Sequence, residues 1–183
     1  MEKPADKEIV YSKNVIEFLT VANEYCLFIE KAENYTKEDI VQYMLKICPL
    51  IYLKGALLPD YEWSDFEITE RFVTEEHWEL MFRVLKNKFG EDDTYWAISS
   101  NDRGENVPST SSVAENLTDV YQDIKDFIML YQKGTHAAKE NALTECRQLF
   151  KTHWGYRLIS AHKALHDIVY PETGQEDYYE NDN

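Results

Sequence analysis

Glycine, proline and cysteine are all scarce in this chain of 183 residues, which contains 6, 5 and 3 of them. So few turn-forming residues argue against a sandwich or barrel of many short strands and favour helices. The cysteines, Cys26, Cys48 and Cys146, are odd in number and widely spaced, with no Cys-x-x-Cys pair. Neither a disulfide framework nor a zinc site is expected from them. We therefore expect reduced thiols, a cytoplasmic location, no metal and no cofactor.

Basic residues are also in short supply, because 19 Lys and Arg face 34 Asp and Glu, giving a formal charge of −15. A chain with so few basic residues and a strong negative charge is not expected to bind the phosphate backbone of a nucleic acid. The strongest apolar run, residues 47–58, is interrupted by Pro49, Lys54 and Gly55, whereas a membrane helix needs about 20 apolar residues. Residues 1–10 lack the apolar centre of a signal peptide. We expect no nucleic-acid partner, no membrane insertion and no secretory signal, while an unknown protein partner stays possible.

Helical periodicity dominates what is present, and apolar residues, at 44%, are numerous enough to build a core. Five segments carry an apolar stripe at helical spacing: residues 7–31, 36–56, 74–90, 113–133 and 137–169. Thr36, Thr74 and Ser111 or Ser112 are suited to cap the helices that follow them. The pattern predicts an all-α fold, a single helical bundle of about five helices over residues 1–171. Residues 172–183 hold five acids and no base, which predicts a disordered acidic tail.

Several finer expectations follow from the same pattern. The second helix is apolar nearly all round beyond Ile47, so we expect it to be central, and Pro49 should bend or split it. Residues 66–68 are compatible with a stub of strand. Residues 99–112 are polar and rich in serine, which predicts a flexible loop.

An acidic face on the fourth predicted helix is the first candidate site. On a helical wheel Glu115, Asp119, Asp123 and Asp126 share one side, away from the apolar stripe. Carboxylates four residues apart suit a divalent metal when another helix adds an acid. The simpler interpretation is a solvated face on a very acidic protein.

The last predicted helix carries two histidine patterns. His162 and His166 have the spacing that presents two imidazoles to one metal, but they lie opposite the apolar stripe and should face solvent. His153 and Arg157 instead fall inside the stripe, and a charged side chain there needs a carboxylate partner.

The partner for His153 and Arg157 should come from another helix, with Asp119, Asp123 and Glu24 as the alternatives. One interpretation is a buried ion pair that fixes helix register, and the other is a polar pocket lined by Trp154 and a tyrosine. The candidate pocket therefore comprises Asp119, Tyr121, Asp123, His153, Trp154 and Arg157.

A further pattern lies at the start of the third predicted helix. Residues 75–79, Glu-Glu-His-Trp-Glu, match the Glu-Glu-x-x-Glu half of the all-α nucleotide pyrophosphohydrolases, whose carboxylates hold Mg²⁺ against a triphosphate. The second half, Glu-x-x-Asp, has only an imperfect substitute in Asp123-Ile-Lys-Asp126. Acids also gather at helix N-termini for electrostatic reasons, which explains the match without any catalysis.

A family resemblance rests on the order and spacing of several short motifs. These are Gly90 to Trp96, Asp119-Val-Tyr121-Gln-Asp123-Ile-Lys125, Leu130-Tyr131, His153-Trp154-Gly155 and Ala164-Leu165-His166. Together with the opening helix they resemble the bacterial family called domain of unknown function 5063, over about residues 8–170. The resemblance implies no activity. It implies that Asp119, Tyr121, Asp123, Lys125, His153 and Trp154 belong to the family pattern.

Two functional hypotheses follow. The first is a non-enzymatic interaction or regulatory protein, because no complete catalytic signature is present. The alternative is a divalent-metal-dependent hydrolase or small-ligand enzyme that uses a carboxylate and histidine pocket between the last two helices.

Overall fold

The computed structural model describes residues 6–60, 70–100 and 104–171. Six α-helices and one β-hairpin make up these ranges, so the fold is mostly helical, as predicted. The predicted strand at 66–68 and the predicted tail at 172–183 lie outside them. The helices are α1 (Lys13–Glu30), α2 (Lys37–Ala56), α3 (Glu75–Phe89), α4 (Val113–Gln132), α5 (His136–Thr152) and α6 (Trp154–Val169), and the strands are β1 (Thr94–Ser100) and β2 (Asn106–Ser112).

The helix boundaries follow local chemistry that is legible in the sequence. Thr36 and Asp39 form a reciprocal capping box at the start of α2, and the Thr74 and Ser112 hydroxyls each accept a backbone N–H at the start of α3 and α4. Gly90, with φ +60°, ends α3. The predicted first helix begins later than expected, because residues 6–11 form a 3₁₀ turn ahead of α1.

The central element is α4, so the prediction that the second helix is central is wrong. Fourteen of the 20 residues of α4 are buried, and it packs against α1, α3, α5 and α6. The α2 helix buries far fewer of its residues and packs on α1 and α6. It also runs unsplit through Pro49, because burial of Cys48 and Ile51 on either side outweighs the missing hydrogen bond.

Two further predictions need correction. The single helix expected over residues 137–169 divides at His153, whose φ of −141° and ψ of −83° lie outside the helical region. The loop expected over residues 99–112 contains β2, which pairs with β1 in an antiparallel hairpin. Serine and threonine with period-two exposure form this strand, a pattern that a hydrophobicity-based analysis overlooks.

The hydrophobic core runs along α4. Trp154, Tyr25, Phe18 and Leu117 are among its largest fully buried side chains. No helix in the described ranges has the length and apolar character needed to cross a membrane.

Candidate functional site

The acidic face of α4 is covered by other elements, so the expectation of a solvated face is wrong for its middle section. Asp123 and Asp126 are only 6% and 3% exposed, and Asp119 is mostly buried. Glu115, one turn earlier, stays near the surface. A helical wheel places these acids on one side correctly but shows nothing of the elements that cover that side.

His153 and Arg157 reach two of these carboxylates. At the junction of α5 and α6, His153 Nδ1 lies 2.6 Å from Asp123 Oδ2, and its Nε2 lies 3.9 Å from Asp119 Oδ2. One turn along α6, Arg157 Nε lies 3.3 Å from the same Asp119 oxygen, and its Nη1 donates to Asn116 Oδ1 at 3.0 Å. The structure therefore brings together four of the six residues of the candidate pocket.

Arg71 and the backbone after it close the other end of this face. The N–H groups of Phe72 and Val73 both donate to Asp126 Oδ1, at 2.8 and 2.9 Å. Arg71 Nη1 donates to Asp126 Oδ2 at 3.3 Å and lies 3.8 Å from Asp123 Oδ1. Sequence reasoning missed Arg71 because its surroundings have no periodicity, although it is the only base between residues 59 and 71.

Trp78 is a further donor to the carboxylates of α4, because its indole N–H donates to Asp119 Oδ1 at 3.0 Å. Each buried carboxylate of α4 is thus matched by donors from within the chain. Glu24, the third partner considered, makes no ion pair with His153 or Arg157 in the described part of the protein. The arrangement ties α3, α4, α6 and residues 71–73 to one another, and it is a network of satisfied charges.

The network shifts two pKa values. The hydrogen bond to Asp123 raises the pKa of His153, although partial burial acts against this. Burial raises the pKa of Asp119, while Arg157 and the Trp78 indole act in the opposite direction. Outside this network, on α6, burial followed by the charge of His166 lowers the pKa of His162.

These opposite shifts predict opposite pH dependences for two substitutions. A raised pKa means that His153 stabilises the fold below about pH 6.5 and that this contribution is lost as the pH rises through its folded pKa. A lowered pKa means that His162 costs stability as the pH falls. We expect His153→Gln to destabilise by about 1–2 kcal/mol at about pH 6 and by less at about pH 9. For His162→Gln any destabilisation should be larger at about pH 9 than at about pH 6.

Urea unfolding of the wild type and both variants at the two pH values measures these differences. Each variant serves as the control for the other, because global effects of pH on the fold cancel between them. Equal destabilisation of His153→Gln at both pH values would contradict the charged pair with Asp123.

The remaining two pocket residues lie elsewhere. Tyr121 donates to Glu30 Oε1 at 3.0 Å, and its hydroxyl lies 2.9 Å from His77 Nε2. Both neighbours belong to a separate shallow pocket of about 300 Å³ that Lys125 also lines. Trp154 is fully buried, and its indole N–H donates to the carbonyl of Cys146.

The acids at the start of α3 do not form the pyrophosphohydrolase arrangement. Glu75, Glu76 and Glu79 line an open depression at the N-terminus of α3, and Glu79 pairs with Arg83. Their expected counterparts Asp123 and Asp126 are occupied by the donors described above. Within the described ranges no group of three or more His, Cys, Asp or Glu side chains is arranged to hold a metal.

A groove between α2 and α6 is a site that the sequence analysis missed. It has a volume of about 180 Å³ and is almost entirely apolar. Its lining residues are Cys48, Pro49, Tyr52, Leu158, Ile159 and His162. His162 was expected to face solvent, but it is half-buried, and its Nδ1 is buried with no hydrogen-bond partner in the part of the chain that the structure describes. The break at His153 shifts the phase of the helix that follows, which is why a continuous wheel misplaces this side chain.

In the described ranges, six helices with α4 at their centre, one hairpin and a satisfied ionic network define a mostly helical protein of the bundle class. The chain belongs to the family described as domain of unknown function (DUF5063), whose model matches residues 9–171. This is the family that the motifs around Asp119 and His153 resembled.

A solved structure has a similar fold. It is a crystal structure of protein BF1032 from Bacteroides fragilis, a structural genomics target, which is 37% identical with a TM-score of 0.79. The similarity covers 91% of this chain and 99% of that one. No match was found among curated proteins.

Proposed function

We propose that this protein is a non-enzymatic interaction protein that binds an amphipathic segment of a partner in the groove between α2 and α6. The observation that carries the proposal is the groove itself, an almost entirely apolar opening of about 180 Å³ between two helices, with the exposed side chains of Tyr52 and Ile159 among its lining. An apolar groove between two helices, with exposed apolar side chains at its rim, has the form of a site that takes the apolar face of an amphipathic helix.

The groove residues suit binding and do not suit nucleophilic catalysis. Cys48 and His162 line the same groove, which is a combination that catalysis sometimes uses. Burial, however, raises the pKa of Cys48 to about 12, so the group remains a thiol at neutral pH. Tyr52 and Ile159 expose apolar surface at the rim, as anchoring sites for a partner helix do.

The alternative of a divalent-metal-dependent hydrolase has less support. It needs carboxylates that are free to bind an ion, whereas Asp119, Asp123 and Asp126 all accept hydrogen bonds from donors within the chain. It remains a prediction from the sequence.

The proposal is tested with a photoreactive amino acid placed at position 159 in the groove or at position 80 on α3, where Leu80 is also exposed. We expect a protein from a native lysate to crosslink at position 159 and to be absent at position 80. Ile159→Lys should weaken binding of that protein by at least about tenfold, while Leu80→Lys leaves it unchanged. Identical crosslinking patterns at the two positions would overturn the proposal.

A further inference from the structure

The hairpin of β1 and β2 has backbone edges that no other described strand covers. Its strands pair in an antiparallel two-stranded sheet, with Ile98 opposite Pro108 and Trp96 opposite Thr110. A two-stranded sheet leaves one row of N–H and C=O groups free on the outer side of each strand. Which residues carry those free groups on β1 follows from the pairing.

Proline determines which backbone groups of β1 point outward. Pro108 has no N–H to donate, so its pair with Ile98 is of the non-hydrogen-bonded kind, in which both residues point their backbone groups away from each other. The Ser109 hydroxyl lies 3.4 Å from the Ala97 carbonyl oxygen, which agrees with an Ala97 that faces β2. By alternation, Trp96 and Ile98 direct their N–H and C=O groups to the open edge of β1.

The two open edges are not equivalent. On β2 the outward position at residue 108 is a proline, which removes a donor and blocks a further strand. The β1 sequence, Thr-Tyr-Trp-Ala-Ile-Ser-Ser, contains neither a proline nor a charged residue. Edge strands are usually protected by such residues, so β1 is the edge that is open to pairing.

Side chains on one face of β1 add an apolar surface beside this edge. Trp96 is 78% exposed and Ile98 is 68% exposed, and residues two apart in a strand share a face. The opposite face is anchored to the helices, because the Tyr95 hydroxyl accepts a hydrogen bond from Asn116 on α4. Two large apolar side chains beside an open strand edge are the features of a pairing surface.

We propose that β1 pairs with β1 of a second copy of this chain, antiparallel, about a two-fold axis at Ala97. In this register Trp96 of each chain lies opposite Ile98 of the other, and each such pair exchanges both backbone hydrogen bonds. The strand is therefore self-complementary in backbone and side chains, as a two-fold interface requires. The proposal concerns the hairpin and is independent of the groove between α2 and α6.

Charge sets the conditions under which this dimer forms. Each chain carries a formal charge of −15, so two copies repel each other. Because β1 has no charged residue, pairing two copies of β1 brings no like charges together along the strand. Salt screens the repulsion between the other charged residues of the two chains. The dimer is expected to strengthen as the salt concentration rises.

Disulfide crosslinking of Ala97→Cys tests the register directly. Residues facing each other in a non-hydrogen-bonded antiparallel pair have Cα atoms about 4.5 Å apart, which is within the range for a disulfide. The native thiols Cys26, Cys48 and Cys146 are at most 2% exposed and do not compete. Thr110→Cys on β2 is the control, because its two copies would lie about 16 Å apart, three strand spacings across the joined sheet and two residues along it.

We expect Ala97→Cys to form a covalent dimer under mild oxidation, at least about tenfold faster than Thr110→Cys. Ile98→Pro in the Ala97→Cys background removes an outward N–H without removing a bond to β2, and it should abolish the crosslink. Leu80→Ser in the same background should leave it unchanged. Circular dichroism checks that each variant is folded, and sedimentation of the wild type at low and high salt reports the non-covalent dimer.

Equal crosslinking of the Ala97→Cys and Thr110→Cys variants would overturn the proposal, as would a crosslink that survives Ile98→Pro. A sedimenting dimer that the Ala97→Cys variant does not trap would overturn the two-fold axis at Ala97. A wild type that stays monomeric at high salt would overturn self-association.

Discussion

Replacing Asp126 with alanine is expected to lower the free energy of unfolding by about 3 kcal/mol. Asp126 is 3% exposed and accepts the N–H groups of Phe72 and Val73 together with a hydrogen bond from Arg71. Alanine leaves the buried N–H of Val73 and the partly buried N–H of Phe72 without this acceptor, and an unpaired N–H costs more than the net value of the bond. Urea unfolding followed by circular dichroism measures the effect.

Two further variants separate the role of Asp126 from a general effect of losing an acid. Asp126→Asn keeps one carbonyl oxygen for the two N–H groups but loses the charge that faces Arg71, so it should cost about half as much. Asp167→Ala removes an exposed acid whose ion pair, among the described residues, is with Lys163 one turn away, and it should change stability by less than about 0.5 kcal/mol. An equal loss in the free energy of unfolding for Asp126→Ala and Asp167→Ala would show that the hydrogen bonds of the Asp126 carboxylate do not stabilise the fold.

Gly155→Ala is expected to destabilise the protein by about 3 kcal/mol, although alanine is the better helix former by about 1 kcal/mol. A Cβ atom at residue 155 would lie 2.3 Å from the carbonyl oxygen of Phe150 and about 3 Å from its ring. Backbone on one side and the fully buried Trp154 next in sequence leave little room to relax. Helix propensity therefore predicts that Gly155→Ala stabilises the protein, whereas steric crowding predicts that it destabilises the protein.

Gly134→Ala is the matched control for this substitution. Gly134 has φ +85° but its nearest neighbour to an added Cβ is 3.9 Å away, so only the conformational cost of about 1 kcal/mol applies. Thermal unfolding of both variants gives the comparison. A Gly155→Ala variant as stable as the wild type would mean that the backbone at the junction of α5 and α6 moves to accommodate the added Cβ atom with no loss of stability.

Much of the fold could be predicted because local chemistry determines it. The capping threonines, the stops at Gly90 and Gly134 and the apolar stripes are properties of short segments, and they give the helices within a few residues. The division at His153 was not predictable in this way. It accompanies the burial of Trp154 in the core, which is a tertiary fact that no short segment encodes.

The candidate site likewise has residues that the sequence predicts and residues that it does not predict. Charge inside an apolar stripe predicts that His153 and Arg157 need a carboxylate from another helix, with Asp119, Asp123 and Glu24 as alternatives. In the structure Asp123 and Asp119 are the partners. Arg71 was missed because no helix or strand positions it. The groove at His162 was missed because it exists only between two helices that are distant in sequence, and neither helix carries its signal alone.

The position of α4 in the chain has a consequence for biosynthesis. The helices that pack on α4 are made both before and after it, and the hydroxyl of Tyr25 donates to the Leu117 carbonyl across 92 positions. A nascent chain therefore completes α1 and α3 while the helix that covers their apolar faces has yet to be translated. During that interval the Phe, Tyr and Leu side chains that α4 later covers are exposed to solvent. Slowing translation just before residue 113 should therefore lengthen the exposure of this segment to chaperones and proteases.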